Sequence, residues 1–272
     1  MSTIPAKHSL QYSLNESPAV DTLTTQAIKR LRMHEPPEGC YLAFSGGKDS
    51  IVCYDLAVRA GVKFDAHYSQ TTVDPPEVMK FIKTQYPDVG WEKPKDSMFR
   101  LIAKKKMVPT RIIRYCCHYL KEMGGKGRTV IIGVRWAESV NRKGRKVYEE
   151  SRALKGKWFL SPIIDWTTEN VWDYIYSRDM AYCSLYDEGK TRIGCIMCPM
   201  QGEKGMILDA KRYPRYYNAY LKAIGRMLKN IEAEGGVFKH GCTPEEVMHW
   251  WIHNSKLDTE TEQAQLYEGS SQ

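Results

Sequence analysis

The sequence predicts an α/β protein, with helices on both faces of a parallel sheet and a helical C-terminal part. Three observations carry that expectation. Cys40–Phe44 (CYLAF) is a short unbroken apolar run, as a strand buried on both faces requires. The turn Ser45–Ser50 (SGGKDS) follows at once and leads into Ile51, Tyr54 and Val58, with Val52 and Leu56 beside them, at helical spacing. Beyond Thr167 the apolar pattern turns helical.

Taken in order, residues 20–34 read as a helix stopped by Pro36, Pro37 and Gly39. Cys40–Phe44 is the first strand, and the helix after the SGGKDS turn ends at Gly61. Val62, Phe64, Ala66 and Tyr68 alternate as a second strand, completing a βαβ unit. Thr129–Val134 and Phe159–Ile164 are further apolar runs of strand length. Three helical stretches follow: TTENVWDYIYSRD, with Thr168 placed to cap it, YPRYYNAYLKAIGRMLKNIEAEGG, and TPEEVMHWWIHN, with Thr243 and Glu246 spaced as a capping box. The expected organisation is a flexible stretch at 1–19, an α/β core at 20–165, a helical part at 166–256 and a polar tail at 257–272.

Hydrophobic residues make up 42% of the 272-residue chain, enough for a normal core, and the formal net charge is +8. Lys104, Lys105, Lys106, Arg111 and Arg114 are bunched. They are either a solvated surface or a steering patch for a polyanion, a nucleotide or a nucleic acid. The opening residues lack an apolar signal core, and no run approaches the length of a membrane span. A cytoplasmic protein with no membrane partner is therefore expected. Its eight cysteines should be mostly reduced, and clustered ones suggest a metal.

The SGGKDS turn lies where an open α/β sheet binds ligands, at the carboxyl end of a strand and the start of a helix. Helix N-termini favour anions. Gly46 and Gly47 let a phosphate approach closely, Ser45 and Ser50 offer hydroxyls, and Lys48 offers charge. Asp49 fits beside phosphate if it holds Mg²⁺. The spacing is neither the GxxxxGK[ST] phosphate loop nor the GxGxxG dinucleotide fingerprint.

Cys116 and Cys117 are adjacent, and Cys195 and Cys198 form a CxxC after 77 intervening residues. Two such pairs can ligate zinc or a [4Fe–4S] cluster, or stay free as redox thiols. Adjacent cysteines fit one tetrahedral ion awkwardly. Cys40 and Cys53 flank the turn as core residues.

SGGKDS resembles the SGGxDS signature of the ATP pyrophosphatase, or PP-loop, superfamily. That resemblance implies that Ser45–Ser50 grip the phosphates of ATP or a related adenine nucleotide. It also implies an adenine nucleotide alpha-hydrolase-like fold, with Lys48 and Asp49 at the reaction. The CC…CxxC pattern is similar to that of adenylylsulfate reductases in the phosphoadenosine phosphosulfate reductase family, which implies a [4Fe–4S] cluster on Cys116, Cys117, Cys195 and Cys198. GVRWAESVNR (133–142) resembles a stretch of that family. There Arg135 and Arg142 would contact phosphate or sulfate, with Gly133 at the nucleotide. PIIDWTTENVWDYIY (162–176) and LYDEGKTRIGCIMCP (185–199) extend the likeness, the former as architecture through Trp166, Val171, Trp172 and Ile175.

The chain also departs from the reductases. They carry a nucleophilic cysteine in a C-terminal ECGLH-like motif, whereas the last cysteine here is Cys242, in KHGCTPEE. Their TGxxxPET pattern is replaced by SQTTVDPPEVMKF, whose Thr72, Asp74 and Glu77 would still line the nucleotide crevice. These departures resemble the enzymes of DNA phosphorothioation and ATP-dependent tRNA thiolation. The resemblance implies an ATP pyrophosphatase and sulfurtransferase using Mg²⁺, a nucleic acid acceptor (DNA or tRNA) and a sulfur donor protein or thioredoxin. Lys104–Arg114 would guide that nucleic acid or offset the charge of the cluster. The alternatives are an adenylylsulfate or phosphoadenylylsulfate reductase, or a non-catalytic nucleotide- or iron–sulfur-sensing module.

Overall fold

A computed structural model describes residues 18–254. All but the last two residues of the expected N-terminal stretch, and the whole tail 257–272, lie outside that range. The helices are α1 (Pro18–Met33), α2 (Lys48–Ala60), α3 (Pro76–Gln85), α4 (Met98–Lys105), α5 (Tyr115–Lys121), α6 (Thr168–Ser177), α7 (Gly202–Arg212), α8 (Pro214–Ala233) and α9 (Pro244–Asn254). The strands are β1 (Cys40–Ala43), β2 (Phe64–Ser69), β3 (Gly90–Glu92), β4 (Thr129–Ile131), β5 (Tyr148–Glu150) and β6 (Trp158–Leu160).

Two compact units interleave along the chain. The first comprises the described residues up to Ser69, with Pro76–Glu92 and Gly124–Ile193. The second comprises Gln70–Pro75, Lys93–Met123 and the described residues from Gly194 on. The division expected near residue 165 does not follow these units, for reasons of packing. Val171, Tyr174 and Ile175 of α6 are buried in one core with Leu42, Ile51 and Leu56. Leu101, Ile102 and Leu120, expected in the α/β core, are instead buried with Tyr220, Ile224 and Trp251.

The first unit holds a six-stranded sheet of order β3-β2-β1-β4-β6-β5. β1 lies centrally, with Leu42 paired to Ala66 of β2 on one side and Ile131 of β4 on the other, both parallel. β2–β3 and β4–β6 are also parallel. The all-parallel expectation needs one correction, because β5 runs antiparallel to β6 at the edge. The short 151–157 connection permits only that sense, since a parallel return needs a long crossover. The cap of α6 is Thr167, not Thr168. The Thr167 hydroxyl accepts from the Asn170 N–H (3.2 Å), and the Asn170 side chain accepts from the Thr167 N–H (2.9 Å). α1 is fastened by Arg30, whose guanidinium forks onto the Asp165 carboxylate with two bonds of 2.7 Å.

The second unit is helical. Ser97 caps α4, and the expected Thr243–Glu246 capping box opens α9 with reciprocal bonds of 3.2 and 3.3 Å. Trp251 is fully buried and donates its indole N–H to the Pro109 carbonyl at 2.6 Å. Each such fully buried large apolar side chain contributes roughly 1.5–3 kcal/mol of transfer free energy. No described helix is long and apolar enough to cross a membrane.

Candidate functional site

In the first unit the strand order reverses between β1 and β4, so their carboxyl ends open the crevice in which such sheets bind ligands. Ser45–Ser50 follows β1, and Gly133 and Arg135 follow β4. The turn is latched internally. The Ser45 hydroxyl donates to the Ser50 oxygen (3.1 Å), and Ser50 donates to the Gly47 carbonyl (2.8 Å). Gly46 has φ +69°, and a Cβ there would press on Ile82 of α3 at 3.0 Å. Gly133 has a different reason to be glycine. A Cβ would lie 2.8 Å from the Asp49 Cβ, so its absence lets the connection after β4 pass against the first turn of α2.

Both cations at this turn are buried, Lys48 at 5% exposure and Arg135 at 2%. They meet on one carboxylate. Arg135 Nε donates to Asp49 Oδ1 at 2.7 Å, and Lys48 Nζ reaches Asp49 Oδ2 at 3.2 Å. Lys48 Nζ also lies 3.5 Å from the Thr191 carbonyl. The remaining reach of Arg135 goes to the Trp166 carbonyl (3.2 Å) and the Thr168 hydroxyl (3.5 Å), so its guanidinium is held within the fold. Arg142 ends a short 3₁₀ turn (Val140–Arg142) and pairs with Glu138, whose carboxylate also accepts the Arg135 N–H at 3.0 Å.

Tyr186, which sequence reasoning missed, accepts the Lys48 backbone N–H at 2.9 Å, and the Lys48 ammonium lies 5.8 Å from its ring centroid. Burial raises its phenol well above the ordinary range, so it acts as a neutral hydroxyl. Its only sequence signal is membership of LYDEGKTRIGCIMCP. The thiols of this unit are sealed. Burial pushes Cys40 up to about 11, raises Cys53 further, and leaves Cys183 without exposure.

The four clustered cysteines all belong to the second unit. Cys116 and Cys117 lie on α5, and Cys195 and Cys198 on a tethered turn. The Ile196 N–H donates to the Val73 carbonyl (2.8 Å), the Met197 N–H to buried Asp209 (2.9 Å), and the Tyr220 hydroxyl to the Ile196 carbonyl (3.1 Å). The thiols sense one another. Cys116 is raised by its hydrogen bond to Cys117, by burial, and by the charges of Cys117, Cys195 and Cys198. Cys117 is lowered, first by that hydrogen bond and then by Arg114 and Lys121.

Lys121, also missed, is raised chiefly by the charge of Cys195, with Cys117 and Asp74 adding to it. Its position four residues after Cys117 on a helix was the available signal. Thr72 and Asp74, expected in the nucleotide crevice, are engaged inside the second unit. The Thr72 hydroxyl accepts the Met98 N–H at 3.0 Å, and Asp74 takes the Thr71 N–H and hydroxyl at 2.7 Å each. Among the described residues, no three His, Cys, Asp or Glu side chains gather closely enough to hold one metal ion. A [4Fe–4S] cluster asks for a different arrangement, one thiolate at each of four separate iron corners.

The family described as phosphoadenosine phosphosulfate reductase domain matches residues 39–201. An uncharacterized protein of Methanocaldococcus jannaschii is 31% identical over 193 residues, covering 68% of this chain. The chain spans about half of that relative's length, 47%. A protein of Oceanobacillus iheyensis named adenosine 5'-phosphosulfate reductase is 27% identical over 174 residues, covering 58% of this chain and 70% of the relative. Among solved structures, the phosphoadenylyl-sulfate reductase of Candida auris in a phosphate complex aligns with a TM-score of 0.48 at 20% identity, covering 69% of this chain and 98% of that one.

Proposed function

The chain belongs to the phosphoadenosine phosphosulfate reductase domain family, and on that premise we propose that it is an enzyme that seats the phosphates of an adenine nucleotide on Ser45–Ser50 and uses ATP to activate an acceptor for sulfur insertion. One observation carries this reading. At the strand switch point, two buried cations, Lys48 and Arg135, face a single carboxylate at the first turn of α2. The excess positive charge and the helix N-terminus suit a polyphosphate.

The chemistry at this loop needs no protein nucleophile. An acceptor oxygen attacks the α-phosphorus of ATP. The bond from that phosphorus to the bridging oxygen breaks, and pyrophosphate leaves with the electron pair. A hydrosulfide-class nucleophile, supplied by a donor, then displaces AMP, which leaves with the acceptor oxygen. Lys48 turns from Asp49 to the phosphates and neutralises the charge that develops on pyrophosphate. Arg135 is a positioning residue that holds Asp49, in the first turn of α2, against the connection after β4. Mg²⁺ would be carried by the phosphates, with Asp49 as its one carboxylate, in keeping with the habit of that ion. In the second unit, Cys116, Cys117, Cys195 and Cys198 would hold a [4Fe–4S] cluster, which supplies an anionic, redox-capable sulfur centre beside Lys121. DNA and tRNA are the acceptor classes the reading allows.

A second reading, reduction of adenylylsulfate to sulfite, is favoured by the relative named adenosine 5'-phosphosulfate reductase. It needs a thiolate at the sulfur, and the thiols of the first unit are buried. The test uses anaerobically purified protein. With ATP, Mg²⁺, a sulfide donor and bulk tRNA or DNA, release of AMP and pyrophosphate, lost in Lys48→Ala, is expected. Sulfite from adenylylsulfate plus thioredoxin, with no AMP from ATP, would replace the first reading by the second. Nucleotide binding with neither turnover would leave a sensing module.

A further inference from the structure

The basic bunch Lys104–Arg114 is largely engaged. Lys104 pairs with Asp96 at 2.6 Å, Lys106 pairs with Glu234, Lys105 lies 4.9 Å from the Tyr119 ring centroid, and Arg114 donates to Cys117 Sγ at 3.5 Å. A denser and freer basic segment lies in the first unit. Between Arg142 and Lys157 the sequence carries seven lysines and arginines against two glutamates. Arg142 pairs with Glu138, Arg145 pairs with Glu149, and Lys157 is buried on the Gly124 carbonyl at 2.6 Å. Lys143, Lys146, Arg152 and Lys155 are all exposed, with no side-chain partner among the described residues.

These four free cations flank the sheet-edge hairpin β5–β6, which carries a continuous aromatic stack. His34 stacks on Tyr148 with centroids 4.3 Å apart and planes 14° off parallel, and Tyr148 stacks on Trp158 at 4.8 Å and 12°. The stack ends on Trp158, which is 36% exposed. Trp136, 38% exposed, lies in the adjoining segment and donates its indole N–H to the Arg145 carbonyl at 2.9 Å.

We propose that the β5–β6 edge, with Lys143, Lys146, Arg152, Lys155 and Trp158, is a binding surface for single-stranded RNA. Unpaired cations supply the phosphate attraction, and an open indole at the end of a stack supplies a platform for an unstacked base. The bases of a duplex are paired and stacked and give an indole platform no open face, whereas RNA loops present bases already unstacked. The segment is continuous with the connection that carries Arg135 to Asp49. If the proposed ATP chemistry holds, this surface therefore names RNA as the class of acceptor, and that clause alone rests on that reading.

The test reads binding, not turnover, on the full chain. Fluorescence anisotropy of a labelled single-stranded RNA oligonucleotide is measured against salt, alongside a duplex DNA of equal length. Wild type should prefer the RNA. The quadruple variant Lys143→Glu, Lys146→Glu, Arg152→Glu, Lys155→Glu should flatten the slope of log K against log salt by about 3. Trp158→Ala should weaken RNA binding roughly tenfold, and Trp158→Phe should restore most of it. Circular dichroism and ATP binding should stay at wild-type level in the quadruple variant and in both Trp158 variants, and Lys48→Ala should still bind RNA. An unchanged salt slope in the folded quadruple variant would overturn the surface. Equal binding of duplex DNA, with Trp158→Ala silent, would reduce it to unspecific attraction and overturn the RNA assignment.

Discussion

Around Asp49 in the first unit, each carboxylate oxygen is matched to a buried cation inside the fold, Lys48 or Arg135, which leaves one positive charge in excess. Around Cys117 in the second unit, Cys116 is raised and Cys117 lowered by the hydrogen bond between them, with Arg114 and Lys121 lowering Cys117 further. In the first arrangement the carboxylate is satisfied within the fold, and on the proposed reading Lys48 is the cation that a phosphate would draw away. On the proposed reading the second is unfinished, because Cys116, Cys117, Cys195 and Cys198 would await a cluster. The difference predicts which side chains act on stability and which on loading.

The largest effect should fall on the unfinished site. If these cysteines hold the proposed [4Fe–4S] cluster, Cys198→Ser, prepared without oxygen, should lose essentially all the iron and acid-labile sulfide that the wild type carries, because a cluster corner would lose its thiolate. The first unit should keep its nucleotide affinity. Full iron in that variant, or zinc in place of iron in the wild type, would break the contrast.

The matched site should respond through the fold. Arg135→Ala leaves Asp49 facing Lys48 alone and removes a nearly fully buried guanidinium, which should cost about 3 kcal/mol in denaturant unfolding. Arg135→Lys should recover little, since an ammonium cannot span Asp49, the Trp166 carbonyl and the Thr168 hydroxyl together. A loss under about 1 kcal/mol, the size expected of an exposed pair, would show that Arg135 is not the brace of the loop.

Lys48→Ala should do the reverse, changing unfolding little while weakening ATP binding roughly tenfold to a hundredfold, the worth of one charge-assisted hydrogen bond. Equilibrium dialysis or calorimetry reads it. Equal losses of stability and affinity would erase the distinction between Arg135 as brace and Lys48 as ligand.

Much of this was legible because the signals are local. The turn, its strand and its helix are contiguous from Cys40 to Gly61, and CxxC is a four-residue pattern. The interleaving of the units was not legible, since the apolar faces of α4 and α6 are alike as patterns and only packing decides which core each joins. Nor was the partnership of Lys48 with Tyr186, 138 residues away. The bunched charges at Lys104–Arg114 left two roles open for the same reason: a sequence shows charges but not which of them already have partners, as Arg114 has in Cys117.

The smallest effect belongs to the ion pair that fastens α1, and it tests whether charge matching in the first unit extends beyond the loop. Burial alone would raise Asp165, and the two-bond fork of Arg30 overrides it, holding the carboxyl below its ordinary value. A lowered folded value means that the pair stabilises above the unfolded pKa and is lost as pH falls through the folded one. Both side chains are about one-fifth exposed, so the worth is about 1 kcal/mol. Wild type should therefore exceed Arg30→Ala in unfolding free energy by that amount near neutrality. The gap should close only as the pH drops below the ordinary aspartate value of about 3.9. A gap that persists unchanged in acid would assign the loss to the aliphatic stem of Arg30 and its bond to the Pro162 carbonyl (2.8 Å), leaving charge matching a property of the nucleotide loop alone.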